Sequence, residues 1–148
     1  AKEQRKIADQ RRDFHHKLSR AITDNCVAFI CEDLAVKNMM KNRHLSKSIA
    51  SVGWYQFLKM VQYKMERTGK YFRKISRWYP SSQTCGCCGY KNTDVKDLSV
   101  RKWKCPKCGT WHDRDVNAQQ NIYKIGAKML QDEGIQVIGL PATNKSAN

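Results

Sequence analysis

The chain has 148 residues, and its 28 Lys and Arg against 13 Asp and Glu give a formal charge of +15. A charge this large favours a polyanionic partner, nucleic acid first among them. No apolar stretch approaches the roughly 20 residues that span a bilayer, and the first 25 residues contain no apolar core of a signal peptide. We therefore expect no membrane partner.

The first half of the chain reads as helix, strand, helix, strand. Residues 3–24 are predicted to form a basic helix that packs through one stripe, formed by Ile7, Phe14, Leu18, Ala21 and Ile22. Residues 26–34 (CVAFICEDL) are typical of a buried strand that ends in acid, at Glu32 and Asp33. Such a strand edge is where open α/β sheets hold ligands.

A second helix is expected from about residue 47 to 67, capped by Ser46 or Ser48. Its apolar face comprises Ile49, Val52, Phe57, Leu58, Val61 and Met65, widened by Trp54 and Tyr55. A strand over 70–79 follows, stopped by Pro80. This order of elements predicts an α/β body.

The last predicted helix covers residues 113–131, with Asp113 or Asp115 suited to its start. Its expected apolar contacts are Val116, Ile122, Ile125 and Leu130. Residues 135–140 (IQVIGL) suit a short strand, and the tail beyond is polar.

Two knuckles share the pattern C-x-x-C-G, the first beginning at Cys85 and the second at Cys105. Thiolates at i and i+3 reach one tetrahedral ion, and the following Gly lets the backbone turn toward the sulfurs. The shared frame predicts four ligands, Cys85, Cys88, Cys105 and Cys108. Zinc is the expected ion, with iron as the alternative for the same sulfur set. The site would be closed and structural, not catalytic.

Other side chains compete with this assignment. Cys87 breaks the shared frame, so it is interpreted as a bystander, and His112 is an alternative ligand that four thiolates make unnecessary. Cys26 and Cys31 lie in the apolar strand and are expected to pack as small buried side chains. Two cysteine pairs in a chain without an export signal favour metal over disulfides, and so a reducing, cytoplasmic location.

Acidic side chains occur at Glu32-Asp33 and again at Asp113-Arg114-Asp115. Carboxylates gathered around Mg²⁺ can clamp the oxygens of a phosphodiester in a nuclease. Helix capping by Asp113 or Asp115, and a surface strand end at Glu32, are the alternatives.

Four motifs occur in order: F-I-C-E-D-L-A-V-K-N-M, C-x-x-C-G, C-P-x-C-G and H-D-R-D-V-N-A-x-x-N-I. Over residues 1–126 this order resembles the C-terminal part of TnpB proteins, insertion-sequence-encoded relatives of type V CRISPR effectors. The resemblance implies a partial RuvC/RNase H-like core with an inserted zinc ribbon. It also implies an RNA-guided DNA endonuclease that uses Mg²⁺ or Mn²⁺, with DNA and a guide RNA as partners.

Within that resemblance, Glu32 and Asp115 match two of three metal-binding catalytic acids. Asp113 and Arg114 match neighbouring motif positions, and Asn117 would support the site or start the helix. The implied domains are a core part over 1–80, the ribbon over 81–112, the last core helix over 113–133 and a tail over 134–148.

The family's first aspartate, on an upstream strand, has no counterpart among Asp9, Asp13 and Asp24, which all fall on or at the end of the basic helix. The chain is therefore interpreted as a portion whose missing partner is the N-terminal part of the same protein. Alone, it is expected to bind without useful cleavage. The alternative is a zinc-ribbon nucleic-acid-binding module without catalytic activity. In either case Trp78, Tyr79, Trp103 and Trp111 are candidates for stacking on bases, or for packing the ribbon.

Overall fold

A computed structural model describes residues 2–34 and 45–137, with the side chains of 45–51 left aside. The helices are α1 (Lys2–Asn25), α2 (Leu45–Arg67) and α3 (Arg114–Asp132), and the strands are β1 (Ala28–Glu32), β2 (Tyr71–Ile75), β3 (Lys102–Lys104) and β4 (Trp111–Asp113). A short 3-10 helix covers Thr93–Lys96. Strand β1 pairs with β2, and β3 pairs antiparallel with β4. The α/β prediction is confirmed.

The chain divides into two compact units, the first formed by Ala1–Phe29 and Asp33–Arg73. In it α1 packs against α2, whose buried side chains are Phe57, Leu58, Val61 and Met65. Lys64 ties the two helices together, because its Nζ donates to the His16 carbonyl at 2.8 Å and to the Ser19 hydroxyl at 2.7 Å.

The expected packing stripe of α1 is wrong. Ile7 and Phe14 are 52% and 61% exposed, and the buried residues of the helix are Ser19 and Thr23. The Thr23 hydroxyl donates to the Ser19 carbonyl at 2.8 Å, so its burial leaves no polar group unpaired. Ser19 and Thr23, which have small hydroxyl side chains, thus occupy the buried face that the apolar pattern predicted for larger side chains.

The second unit comprises Ile30–Glu32 and Lys74–Asn148. One small core lies inside the cysteine segment, which we define as residues 84–112, and comprises Cys85, Val95, Trp103 and Cys105. Helix α3 buries Ala127 and Leu130. Val116 is 51% exposed, so the prediction that Val116 makes an apolar contact is wrong. Trp103 is buried and so is excluded as a base-stacking side chain.

Several predicted boundaries shift. Strand β2 ends at Ile75 instead of 79, because the chain turns there and the Tyr79 amide bonds back to the Ser76 carbonyl at 3.1 Å. Residues 135–137 have no regular structure, and 138–140 lie outside the described residues, as do the side chains of Ser46 and Ser48. Across the described ranges, no helix has the length and apolarity to cross a membrane.

Candidate metal centre

The four predicted cysteines come together. The ligand sulfurs of Cys85, Cys88, Cys105 and Cys108 all lie within 4.8 Å of one another. The Cys85–Cys108 and Cys88–Cys105 sulfurs are each 3.6 Å apart. Four sulfurs at about 2.3 Å from one tetrahedral ion would be roughly 3.8 Å apart, so this donor set fits a single metal ion.

The two knuckles repeat one backbone pattern. In the first, the Cys85 amide donates to the Tyr90 carbonyl and the Gly89 amide to the Cys85 carbonyl, at 2.8 and 2.9 Å. In the second, Cys105, Thr110 and Gly109 form the same two bonds, both at 2.8 Å. Gly89 and Gly109 have φ of 76° and 74°, where a side chain would be strained. The local sequence C-x-x-C-G therefore builds each knuckle.

The environments of the sulfurs differ. Burial raises the pKa of the Cys85 thiol to about 12, whereas hydrogen bonds from the hydroxyl and backbone of Thr110 lower the pKa of Cys108 to about 6. Cys87 is exposed and stands apart from the cluster. The Cys108 thiol therefore ionises more easily than the Cys85 thiol.

Polar side chains of α3 clamp the first knuckle. Asn117, 2% exposed, accepts from the Gly86 amide at 2.9 Å and donates to the Thr84 carbonyl at 2.7 Å. One turn later Asn121 donates to the Thr84 and Ser81 carbonyls, and Lys124 donates to the Gly86 carbonyl at 2.6 Å. A polar face of the helix therefore holds the knuckle in place.

The start of α3 has its own structural roles. The Asp113 carboxylate caps the helix by accepting from the Asp115 and Val116 amides at 3.0 and 3.1 Å. Arg114 is buried, and its guanidinium donates to the Val95 and Asp97 carbonyls, both at 2.7 Å. Both residues thus join the helix to the cysteine segment.

The two candidate catalytic carboxylates have separate partners. Glu32 accepts a hydrogen bond from the Ser81 hydroxyl, and Asp115 forms an exposed ion pair with Arg101. In the described residues, the four cysteines are the one group of three or more side chains placed to hold a metal ion.

The chain is similar in sequence to known proteins. A family profile for the Cas12f1-like TNB domain matches residues 54–122. A "Putative RNA-guided DNA endonuclease" of Streptomyces pristinaespiralis is 41% identical over 121 residues, which are 82% of this chain and 30% of that protein. The TnpB-like protein L79 of Acanthamoeba polyphaga mimivirus is 27% identical over 131 residues, 84% of this chain and 24% of that protein. The chain belongs to the TnpB family.

The fold of this TnpB-family chain also matches a solved structure. A chain in the cryo-EM structure of a Cas12f1–sgRNA–target DNA complex superimposes with a TM-score of 0.58 at 22% identity, covering 80% of this chain and 35% of that one. The TnpB-family chain thus spans about a third or less of the relatives that it matches.

Sequence reasoning missed several contacts of the TnpB-family chain. Asn117 was expected to support the carboxylates or start the helix, but it lies inside α3 and binds the first knuckle. The contacts of Asn121, Lys124 and Ser81 were not predicted. Asn117 and Asn121 are spaced i and i+4, which places both amides on one helical face, and this spacing was the available signal.

Proposed function

We propose that the chain is the C-terminal portion of a transposon-encoded, RNA-guided DNA endonuclease of the TnpB type. The observation that carries the proposal is the 41% identity to a protein named as such an endonuclease, over 82% of this chain. The charge of +15 suits DNA and guide RNA as partners. We further propose that the remainder of the enzyme, including a first catalytic aspartate, comes from an N-terminal part.

Zinc is the proposed occupant of the cysteine cluster. Four thiolates in a closed tetrahedral set suit zinc, and no ligand position is left for substrate. The core around the cluster is small, with Val95 and Trp103 as its buried non-cysteine members. Binding of structural zinc releases on the order of 10 kcal/mol, which supplies folding free energy that so small a core lacks.

Glu32 and Asp115 are the proposed catalytic ligands for Mg²⁺ or Mn²⁺, with Asp113 and Arg114 supporting them by fixing the start of α3. This assignment rests on the motif resemblance. Glu32 ends β1 and Asp115 lies in the first turn of α3. A third carboxylate, and release of Asp115 from Arg101, are needed before the two can serve one site.

The exposed face of the β3–β4 hairpin is a proposed nucleic-acid contact. Trp111 is 69% exposed and is paired across the strands with Lys104, and Lys102 lies on the same exposed face. An exposed indole stacks on bases regardless of sequence, and neighbouring ammonium groups bind phosphate. Trp78, 85% exposed, is a second candidate for stacking.

A specific observation favours a second function, a nucleic-acid-binding module without cleavage. Asp113 is used as a helix cap, and Asp115 is used in an ion pair. Under this alternative neither acid has a catalytic role, and the zinc-bound cysteine segment and the basic surface perform the whole function.

Cleavage of target DNA by the complete protein, loaded with guide RNA and Mg²⁺, separates the two. Glu32→Gln and Asp115→Asn should each abolish cleavage while DNA binding is retained. Asp132→Asn is the matched control, because this acid of α3 pairs with Lys128 and lies outside every proposed site. Unchanged cleavage in both active-site variants would reject the assignment, and no cleavage by the intact protein would favour the binding module.

A further inference from the structure

His112 lies against the cysteine cluster without belonging to it. Its Nε2 is 3.0 Å from the Cys85 sulfur, and the residue sits in β4 directly opposite Trp103. The two rings contact each other, with centroids 4.7 Å apart. Packing against a buried indole therefore fixes the direction of the imidazole toward Cys85.

The number of sulfurs makes His112 a donor and not a ligand. Structural zinc sites are almost always four-coordinate. The separation of 3.0 Å places the imidazole nitrogen within hydrogen-bonding distance of the sulfur. The four sulfurs already complete the coordination.

Cys85 is a buried sulfur that needs such a donor. Its residue is 1% exposed, like that of Cys105, whereas Cys108 is exposed to water, and His112 lies against Cys85. A buried thiolate loses hydration, so hydrogen bonds from the protein must replace it. A four-thiolate zinc site also carries excess negative charge, and a hydrogen bond from a neighbouring N–H stabilises that charge.

We infer that His112, as a neutral imidazole protonated on Nε2, donates a hydrogen bond to the metal-bound Cys85 thiolate and slows release of the ion. It is a positioning residue for the metal site. The inference rests on the proposed zinc site, and it assigns a role to a residue outside the four ligands. Loss of such an outer contact typically lowers metal affinity by about 10-fold to 100-fold.

The test uses the whole chain loaded with Zn²⁺ for release kinetics and with Co²⁺ for spectroscopy. His112→Phe keeps a ring against Trp103 but removes the donor, and it should speed zinc release to a chromogenic chelator by at least about 10-fold. The sulfur-to-cobalt charge-transfer band should shift to lower energy, because an unbonded thiolate donates charge more readily. A purely structural role would leave this band in place.

Two further variants sharpen the result. His112→Gln carries an amide donor and should restore slow release and the band position, at least in part. Leu98→Ala, within the same cysteine segment but exposed, should behave as wild type. If His112→Phe binds no metal, the comparison of His112→Gln with His112→Ala decides, because only the glutamine carries a donor. Zinc release from His112→Gln as fast as from His112→Ala overturns the inference.

The two possible failures are distinct. A wild-type chain that gives no four-thiolate cobalt spectrum would reject the proposed metal site itself. A normal wild-type spectrum, together with an unchanged band and release rate in His112→Phe, would reject the role of His112 alone.

Discussion

Cys87 and Cys88 are neighbours in sequence, but their side chains have different surroundings. Cys88 joins the sulfur cluster, while Cys87 is exposed and lies outside it. The i, i+3 geometry of the knuckle selects between them, since only the shared frame places two sulfurs on one ion. The choice depends on local spacing, so the sequence was sufficient to make it.

Thiol alkylation should report this division. In the metal-free chain, where the cysteine segment is expected to lose its fold, all five cysteines of residues 84–112 should react. Added Zn²⁺ should protect all four cluster cysteines and leave Cys87 reactive. Mass spectrometry of the labelled peptides measures each site. Protection of Cys87 with continued labelling of Cys88 would contradict the ligand set.

Helix α3 shows at the level of one element what periodicity can and cannot predict. Its bounds were predicted within a residue, since a run of helix formers and an acidic cap are local signals. Its contacts were not, because Val116 is exposed while Asn117 and Asn121 are buried. Those amides are satisfied by backbone groups more than 30 residues away, and a helical repeat contains no information about such partners.

Asn117→Ala should free the first knuckle from α3. The substitution leaves the Gly86 amide without its partner, at a cost of about 1–3 kcal/mol if that group stays buried and unpaired, while Asn121 still donates to the Thr84 carbonyl. Hydrogen exchange at the Gly86 amide should accelerate in the metal-bound chain. Gln119→Ala, an exposed position on the same helix, is the control. Equal protection of Gly86 in both variants would argue against the clamp.

Gly126→Ala tests the packing of α3 on β1. A Cβ at this position would lie 2.4 Å from Ile30 Cγ2 and 2.6 Å from its Cγ1, so the Ile30 side chain or one of the two elements must shift. Overpacking of this kind typically costs about 1–3 kcal/mol. Chemical denaturation should detect that loss, and the loss caused by Gly126→Ala should be smaller in an Ile30→Ala background, because the clashing atoms are absent there. A Gly126→Ala chain as stable as wild type would contradict this close approach.

Across the whole molecule, the two compact units depend on different sources of stability. The first buries Phe57, Leu58, Val61 and Met65 between helices, whereas the cysteine segment of the second has a small core beside its sulfur cluster. Stripping the metal with a strong chelator should therefore remove hydrogen-exchange protection from residues 84–112 first and leave α1 and α2 protected. Continued protection of 84–112 after metal loss would count against a metal-dependent segment.

The charge of +15 predicts binding to nucleic acid, but it does not separate phosphate contact from base stacking. The salt dependence of the affinity separates these two kinds of contact. Lys104→Ala should lower the slope of log affinity for single-stranded DNA against log salt by about 0.7, because one phosphate contact is lost. Trp111→Ala should weaken binding by about 1–3 kcal/mol with the slope unchanged, because stacking releases no counterion. Lys128→Ala, whose ammonium pairs with Asp132, should change neither. A slope that falls equally in Lys104→Ala and Lys128→Ala would mean that total charge, and not the hairpin face, governs binding.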